Sequence, residues 1–89
     1  MRGAITPVQK LMARRDETRR QVAASIKGRM AERGWTRQDM SAATGIEYQR
    51  LCAIIRQETD IAAYEWSAIV KAAPRMEMLI DEIEARALR

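Results

Sequence analysis

Apolar residues recur along this chain at intervals of three and four, the spacing that lines one face of a helix, and polar breaks divide them into segments. Val8, Leu11 and Met12 form a first short stripe. The stretch ARRDETRRQ, Ala13 to Gln21, is polar apart from its alanine, so no face of it suits burial. The stripe returns with Val22, Ile26 and Met30. Thr6, Pro7 and Gln9 make a helix start: a capping hydroxyl, a proline fit for the first position, and a glutamine that completes a capping box. Two readings stand side by side, one long helix from Pro7 to about Arg33 or two helices with Asp16 capping the second. In both, the polar middle projects from the core or lies on a charged partner.

Gly34 ends that segment as a left-handed cap. Thr36 caps a short helix through Thr44, with Met40, Ala43 and the small Ser41 inward. Gly45 breaks it, and Ile46 leads into a helix through about Gln57. There Ile46, Leu51, Ile54 and Ile55 point inward, which leaves Tyr48, Gln49, Cys52, Ala53 and Arg56 facing out. The tripeptide ETD is a turn, where Thr59 or Asp60 caps a fourth helix with Trp66, Ile69, Val70 and Ala73 inward. Pro74 terminates it and opens a fifth, on which Met76, Leu79, Ile80, Ile83 and Ala87 make a continuous stripe. A one-faced helix beyond a complete core has little left to cover, so that stripe is expected to be a dimer seam. Trp35 and Trp66, at helix junctions, are expected in the core.

Composition narrows the class. Eighty-nine residues make one small domain. The 47% hydrophobic fraction overstates the core, because fifteen of those residues are alanine. Abundant Ala with Arg, Glu, Gln and Met favours helix, and four glycines and two prolines are too few for a turn-rich β-fold. The expected class is all-α: a bundle of about five helices, with a core over about 22–73, a basic N-terminal helical extension over 6–21 and an amphipathic helix over 74–89.

The net charge of +4 and pI near 9.8 suit a polyanionic partner. Its distribution says more, because residues 1–37 hold ten basic and three acidic side chains while the remainder is slightly acidic. With no histidine and Cys52 as the single cysteine, neither a metal site, a cofactor nor an internal disulfide is expected. Neither are paired catalytic carboxylates, a phosphate loop or an activated nucleophile, so no enzyme is expected. No apolar run approaches a membrane span and MRGAITPVQK lacks the apolar core of a secretory signal, which together point to the cytoplasm.

The arrangement Arg37, Met40-Ser41, Gly45-Ile46, Leu51, Ile54 is what a helix-turn-helix requires. With the lead-in IKGRMAERGWTRQDMSAATGI and the later helix WSAIVKAA, the chain resembles the Cro and lambda-repressor type helix-turn-helix family of bacteria and their phages. The likeness runs from about Val22 to Ala73. It implies a third helix lying in the DNA major groove, with Glu47, Tyr48, Gln49, Arg50 and Ala53 toward the bases. Gln49 offers a donor and an acceptor that match adenine, Arg50 suits guanine or a phosphate, and Glu47 would accept from a cytosine amino group. Tyr48 brings a hydroxyl for phosphate and a ring edge for a thymine methyl. Arg29, Thr36, Arg37, Gln38 and Arg56 would hold the phosphate backbone, with Arg14, Arg15, Arg19 and Arg20 adding positive charge.

The expected function is a transcriptional regulator that binds an inverted-repeat operator in double-stranded DNA as a homodimer. Repression by blocking polymerase is expected, since 89 residues leave no room for a ligand-sensing domain. Two other readings use the same elements: the antitoxin of a toxin–antitoxin pair, and a protein-binding module such as a phage inhibitor of a host factor.

Overall fold

The computed structural model describes residues 6–75, and over these the chain is all-helical, with no strand. Four helices follow in order: α1 (Pro7–Arg33), α2 (Arg37–Thr44), α3 (Tyr48–Ile55) and α4 (Ala63–Ala72). The fifth helix expected over 74–89, with its stripe of Met76, Leu79, Ile80, Ile83 and Ala87, lies outside the described residues apart from Pro74 and Arg75.

α1 is one uninterrupted helix of 27 residues, about 40 Å long. Its start is the box read from sequence: the Gln9 amide donates to Thr6 Oγ1 at 3.1 Å, and the Thr6 amide donates to Gln9 Oε1 at 2.9 Å. Asp16 caps nothing. Continuation through ARRDETRRQ costs little in water, because arginine, glutamate and glutamine are good helix formers and pair within the helix. Arg20 pairs with Glu17, and Gln21 Nε2 donates to Glu17 Oε1. Gly34 then closes α1 in the left-handed region at φ 66°.

α2 opens on a second capping box, Thr36 with Asp39, and ends at Gly45. A Cβ at Gly45 would meet nothing within 4 Å, so space is not what calls for glycine there. Its φ of 78° is, since a Cβ strains that conformation by about 1–2 kcal/mol. Two hydroxyls fasten the turn. Ser41 Oγ donates to the Ile46 carbonyl at 2.6 Å, and Thr44 Oγ1 accepts from the Ile46 amide at 3.2 Å. Ser41 is therefore a donor as well as a small residue.

α3 begins at Tyr48 rather than Ile46, because the Glu47 carboxylate accepts from the Gln49 and Arg50 amides and caps the helix. It ends through Gln57, which takes a left-handed φ of 65° without being glycine. α4 begins later than expected. Neither Thr59 nor Asp60 caps it; the Glu65 carboxylate reaches back to the Ala62 amide at 2.8 Å instead.

The core is a single cluster of Ile26, Met40, Ile46, Leu51, Ile54, Ile55, Ile69 and Ala73. Val22, Met30, Trp35, Ile61 and Trp66 pack around it half-buried. α1 packs on α3, and α2 on α3 and α4. Two expectations fail here. Ala43 is exposed, because an eight-residue helix turns little more than one face inward and Met40 occupies it. Cys52, expected outside, is buried: it follows Leu51 on an α3 that sinks deeper than its apolar stripe suggests.

Candidate functional site

The exposed surface of α2 and α3 is built by three local devices. The Thr36–Asp39 box occupies two of the amides at the start of α2, which leaves those of Arg37 and Gln38 at the helix end. Gly45 and the two hydroxyls set the angle at which α3 leaves. Leu51, Ile54 and Ile55 then seat one side of α3 on the core, so that Tyr48 and Gln49 stand out from its first turn. Glu47, Tyr48, Gln49, Thr36, Gln38 and Arg56 are exposed, and Arg37 and Ala53 are half-buried.

Arg37 and Arg56 approach Tyr48 from α2 and from the end of α3, and both favour its ionised form electrostatically. The hydrogen bond between Tyr48 and Cys52 outweighs them and holds the phenol above its ordinary value. Arg56 Nε also donates to Glu58 Oε1 at 2.9 Å, an exposed pair that exchanges readily for another anion.

Several residues expected at the surface are engaged inside. Arg50 is half-buried and uses its guanidinium within the fold: Nε and Nη2 each donate to Glu65 at 2.8 Å, Nη1 to Thr59 Oγ1 at 3.0 Å, and Nη2 to the Asp60 carbonyl at 2.8 Å. Arg29 is 4% exposed, donates to the Ala73 carbonyl at 2.6 Å and lies over the Trp66 ring at 5.3 Å. Burial and the positive neighbours Arg75 and Arg33 lower its pKa from a high ordinary value, yet it stays charged. As placed, Arg29 holds the ends of α1 and α4 together; no face of it is left for a phosphate. Arg33 acts alongside, donating to the Arg29 and Pro74 carbonyls. Arg19 Nε pairs with Asp60 at 2.7 Å. Lys10, Arg14, Arg15 and Arg20 are exposed on α1.

Glu65 was not anticipated. It is buried, and the Arg50 hydrogen bond holds its carboxyl below the ordinary value, with burial acting in the opposite direction. Its one local signal is position: an acid on the third residue of a helix suits the positive end. Among the described residues, no group of three or more His, Cys, Asp and Glu side chains comes together, and no helix is long and apolar enough to cross a membrane. No family model, curated protein or solved structure matches the chain.

Proposed function

We propose that this chain is a sequence-specific double-stranded DNA-binding regulator that docks as a homodimer on an inverted repeat and represses by occupying the site. In this reading α2, Gly45 and α3 act as a helix-turn-helix, with α3 in the major groove. One observation carries it: the first turn of α3 holds Tyr48 and Gln49 out on a helix whose opposite side is locked into the core.

The roles divide accordingly. Gln49 reads, its amide pairing with the N6 and N7 edge of an adenine. Tyr48 donates its hydroxyl to a phosphate and sets its ring edge beside a thymine methyl. Arg37, Arg56 and the amides at the start of α2 grip the backbone on either side. Arg50 acts as a strut beneath the reading surface. Glu47 acts as the cap of α3, where the helix dipole offsets its charge. With Ala53 short and Arg50 engaged, direct readers are few, and DNA shape supplies much of the discrimination.

Selection from a random duplex library across a salt series tests this. The selected sites should be two half-sites about 34 Å apart, one turn of DNA. Log affinity should fall linearly with log salt at about 0.9 per phosphate contacted. Absence of salt-sensitive binding to any duplex would replace this function with that of a protein-binding module.

A further inference from the structure

The face of α1 that enters the core does not stop where the core stops. At about 100° per residue, Val8, Leu11 and Met12 lie on the side that Val22 and Ile26 turn inward. Ile26 is fully buried and Val22 half-buried, while Val8 and Leu11 are each 65% exposed and Met12 50%. This apolar tip is left uncovered by the described residues.

One edge of the tip is basic. Lys10 and Arg14, one helical turn apart, stand beside Leu11, and Arg15 rises within the face itself. All three are exposed, and none makes an ion pair with a described residue. Residues 6–15 hold these three cations and no acid. Glu17, further along the same edge, is engaged by Arg20 and Gln21. The tip therefore suits a partner that is apolar on one face and acidic along its border.

The chain carries such a partner in its own sequence. Met76, Leu79, Ile80 and Ile83 recur at helical spacing, and Glu77, Asp81 and Glu84 follow one another along the border beside Ile80. Residues 76–85 hold four acids and no base. A copy's own tip is out of reach of this stripe. Arg29 and Arg33 hold the Ala73 and Pro74 carbonyls, so the chain leaves α4 beside the far end of α1. From Arg29 back to Leu11 is about 27 Å of helix, whereas a helix running on from Pro74 carries Ile83 only about 14 Å.

We propose that the α1 tip is the docking site for the 76–85 segment of a second copy, exchanged reciprocally about a two-fold axis. Val8, Leu11 and Met12 receive the apolar stripe of that segment, and Lys10, Arg14 and Arg15 face its acidic border. Each copy gives one tip and occupies another. The exchange supplies the dimer of the proposed function and rests on that reading for its purpose, yet it is measurable without DNA.

Sedimentation equilibrium of the full chain provides the test, with circular dichroism to follow folding. The wild type should be a dimer at micromolar concentration. Leu11→Asp, at an exposed position, and Ile80→Asp should each raise the dimer dissociation constant by about a hundredfold or more. Mixing these two should restore a heterodimer of intermediate strength, because one of its two sites joins a native tip to a native stripe. Lys10→Glu/Arg14→Glu and Glu77→Lys/Glu84→Lys should each weaken the dimer by about tenfold or more, through like charges set together. Their equimolar mixture should pair at wild-type strength, since both of its sites oppose unlike charges. A monomeric wild type overturns the exchange, as does a Leu11→Asp or Ile80→Asp variant that stays dimeric. Either mixture failing to pair overturns it too. A dimer broken by Ile80→Asp but not by Leu11→Asp would set the stripe against its own copy instead. The two readings fail separately. A wild type that dimerises but binds no duplex sinks the DNA function alone, whereas a monomeric wild type that protects single half-sites sinks the exchange alone.

Discussion

Arg50 on α3 and Glu65 on α4 meet in a two-pronged ion pair, Nε to Oε2 and Nη2 to Oε1, both at 2.8 Å. The carboxylate is 4% exposed and the guanidinium 35%. The remaining donors of Arg50 reach Thr59 and the Asp60 carbonyl, so one side chain ties α3, the connecting loop and the start of α4. A residue expected from the sequence to face DNA is a strut in three dimensions.

Its removal should therefore be felt in stability. Arg50→Ala strands a buried carboxylate and should cost about 3 kcal/mol, the low end for breaking a buried pair because the arginine keeps some water. Glu65→Gln keeps the link to the Ala62 amide and should cost less. Urea denaturation measures both. An Arg50→Ala protein as stable as the wild type would show that the pair is not structural.

The same pair makes stability depend on acid. Arg50 holds the folded-state pKa of Glu65 below its ordinary 4.5, so the stabilisation is complete above that value. It is lost as pH falls from there through the depressed pKa. The difference in unfolding free energy between wild type and Glu65→Gln should be constant down to about pH 5 and shrink below it. A difference that instead changes between pH 6 and 8 would point to another group.

Arg29 offers a contrast between two roles for a cation. Arg29→Ala leaves the Ala73 carbonyl unpaired and uncovers Trp66, and should cost about 2–4 kcal/mol. At temperatures where the variant remains folded, its duplex affinity and salt slope should match the wild type. A shallower salt slope with unchanged stability would return Arg29 to the phosphate contacts.

Glu47 caps α3, so Glu47→Ala should cost about 1 kcal/mol, and Glu47→Asp or Glu47→Asn should recover most of it. Thermal unfolding separates this from an electrostatic effect on DNA. The cap loss appears in the free protein, and high salt leaves it in place.

On the proposed DNA-reading surface, Gln49→Ala should lose about 1–3 kcal/mol at one base pair and relax preference there. Arg37→Ala should weaken all duplexes alike and reduce the salt slope by about one. Competition binding with singly substituted operators distinguishes these outcomes. If Gln49→Ala left every base preference unchanged, the docking geometry would be wrong.

What the chain determines locally is legible in its residues. The Thr6–Gln9 and Thr36–Asp39 boxes, the left-handed Gly34 and Gly45, and the inward set Ile46, Leu51, Ile54 and Ile55 all follow from signals within a turn or two of helix. They suffice for the all-helical class, the exposed tip of α3 and the break at Gly45. Tertiary structure decided what spacing cannot encode. Arginine has the same helical preference whether it faces water, a buried carboxylate or a carbonyl 44 residues away, so Arg50 and Arg29 read as surface cations until their partners are placed. Cys52 likewise sits outside the apolar stripe and is buried by the depth at which α3 settles between α1 and α2. Hydrophobic period specifies which side of a helix turns inward; how far it sinks, and which charges go with it, depends on the helices that close over it.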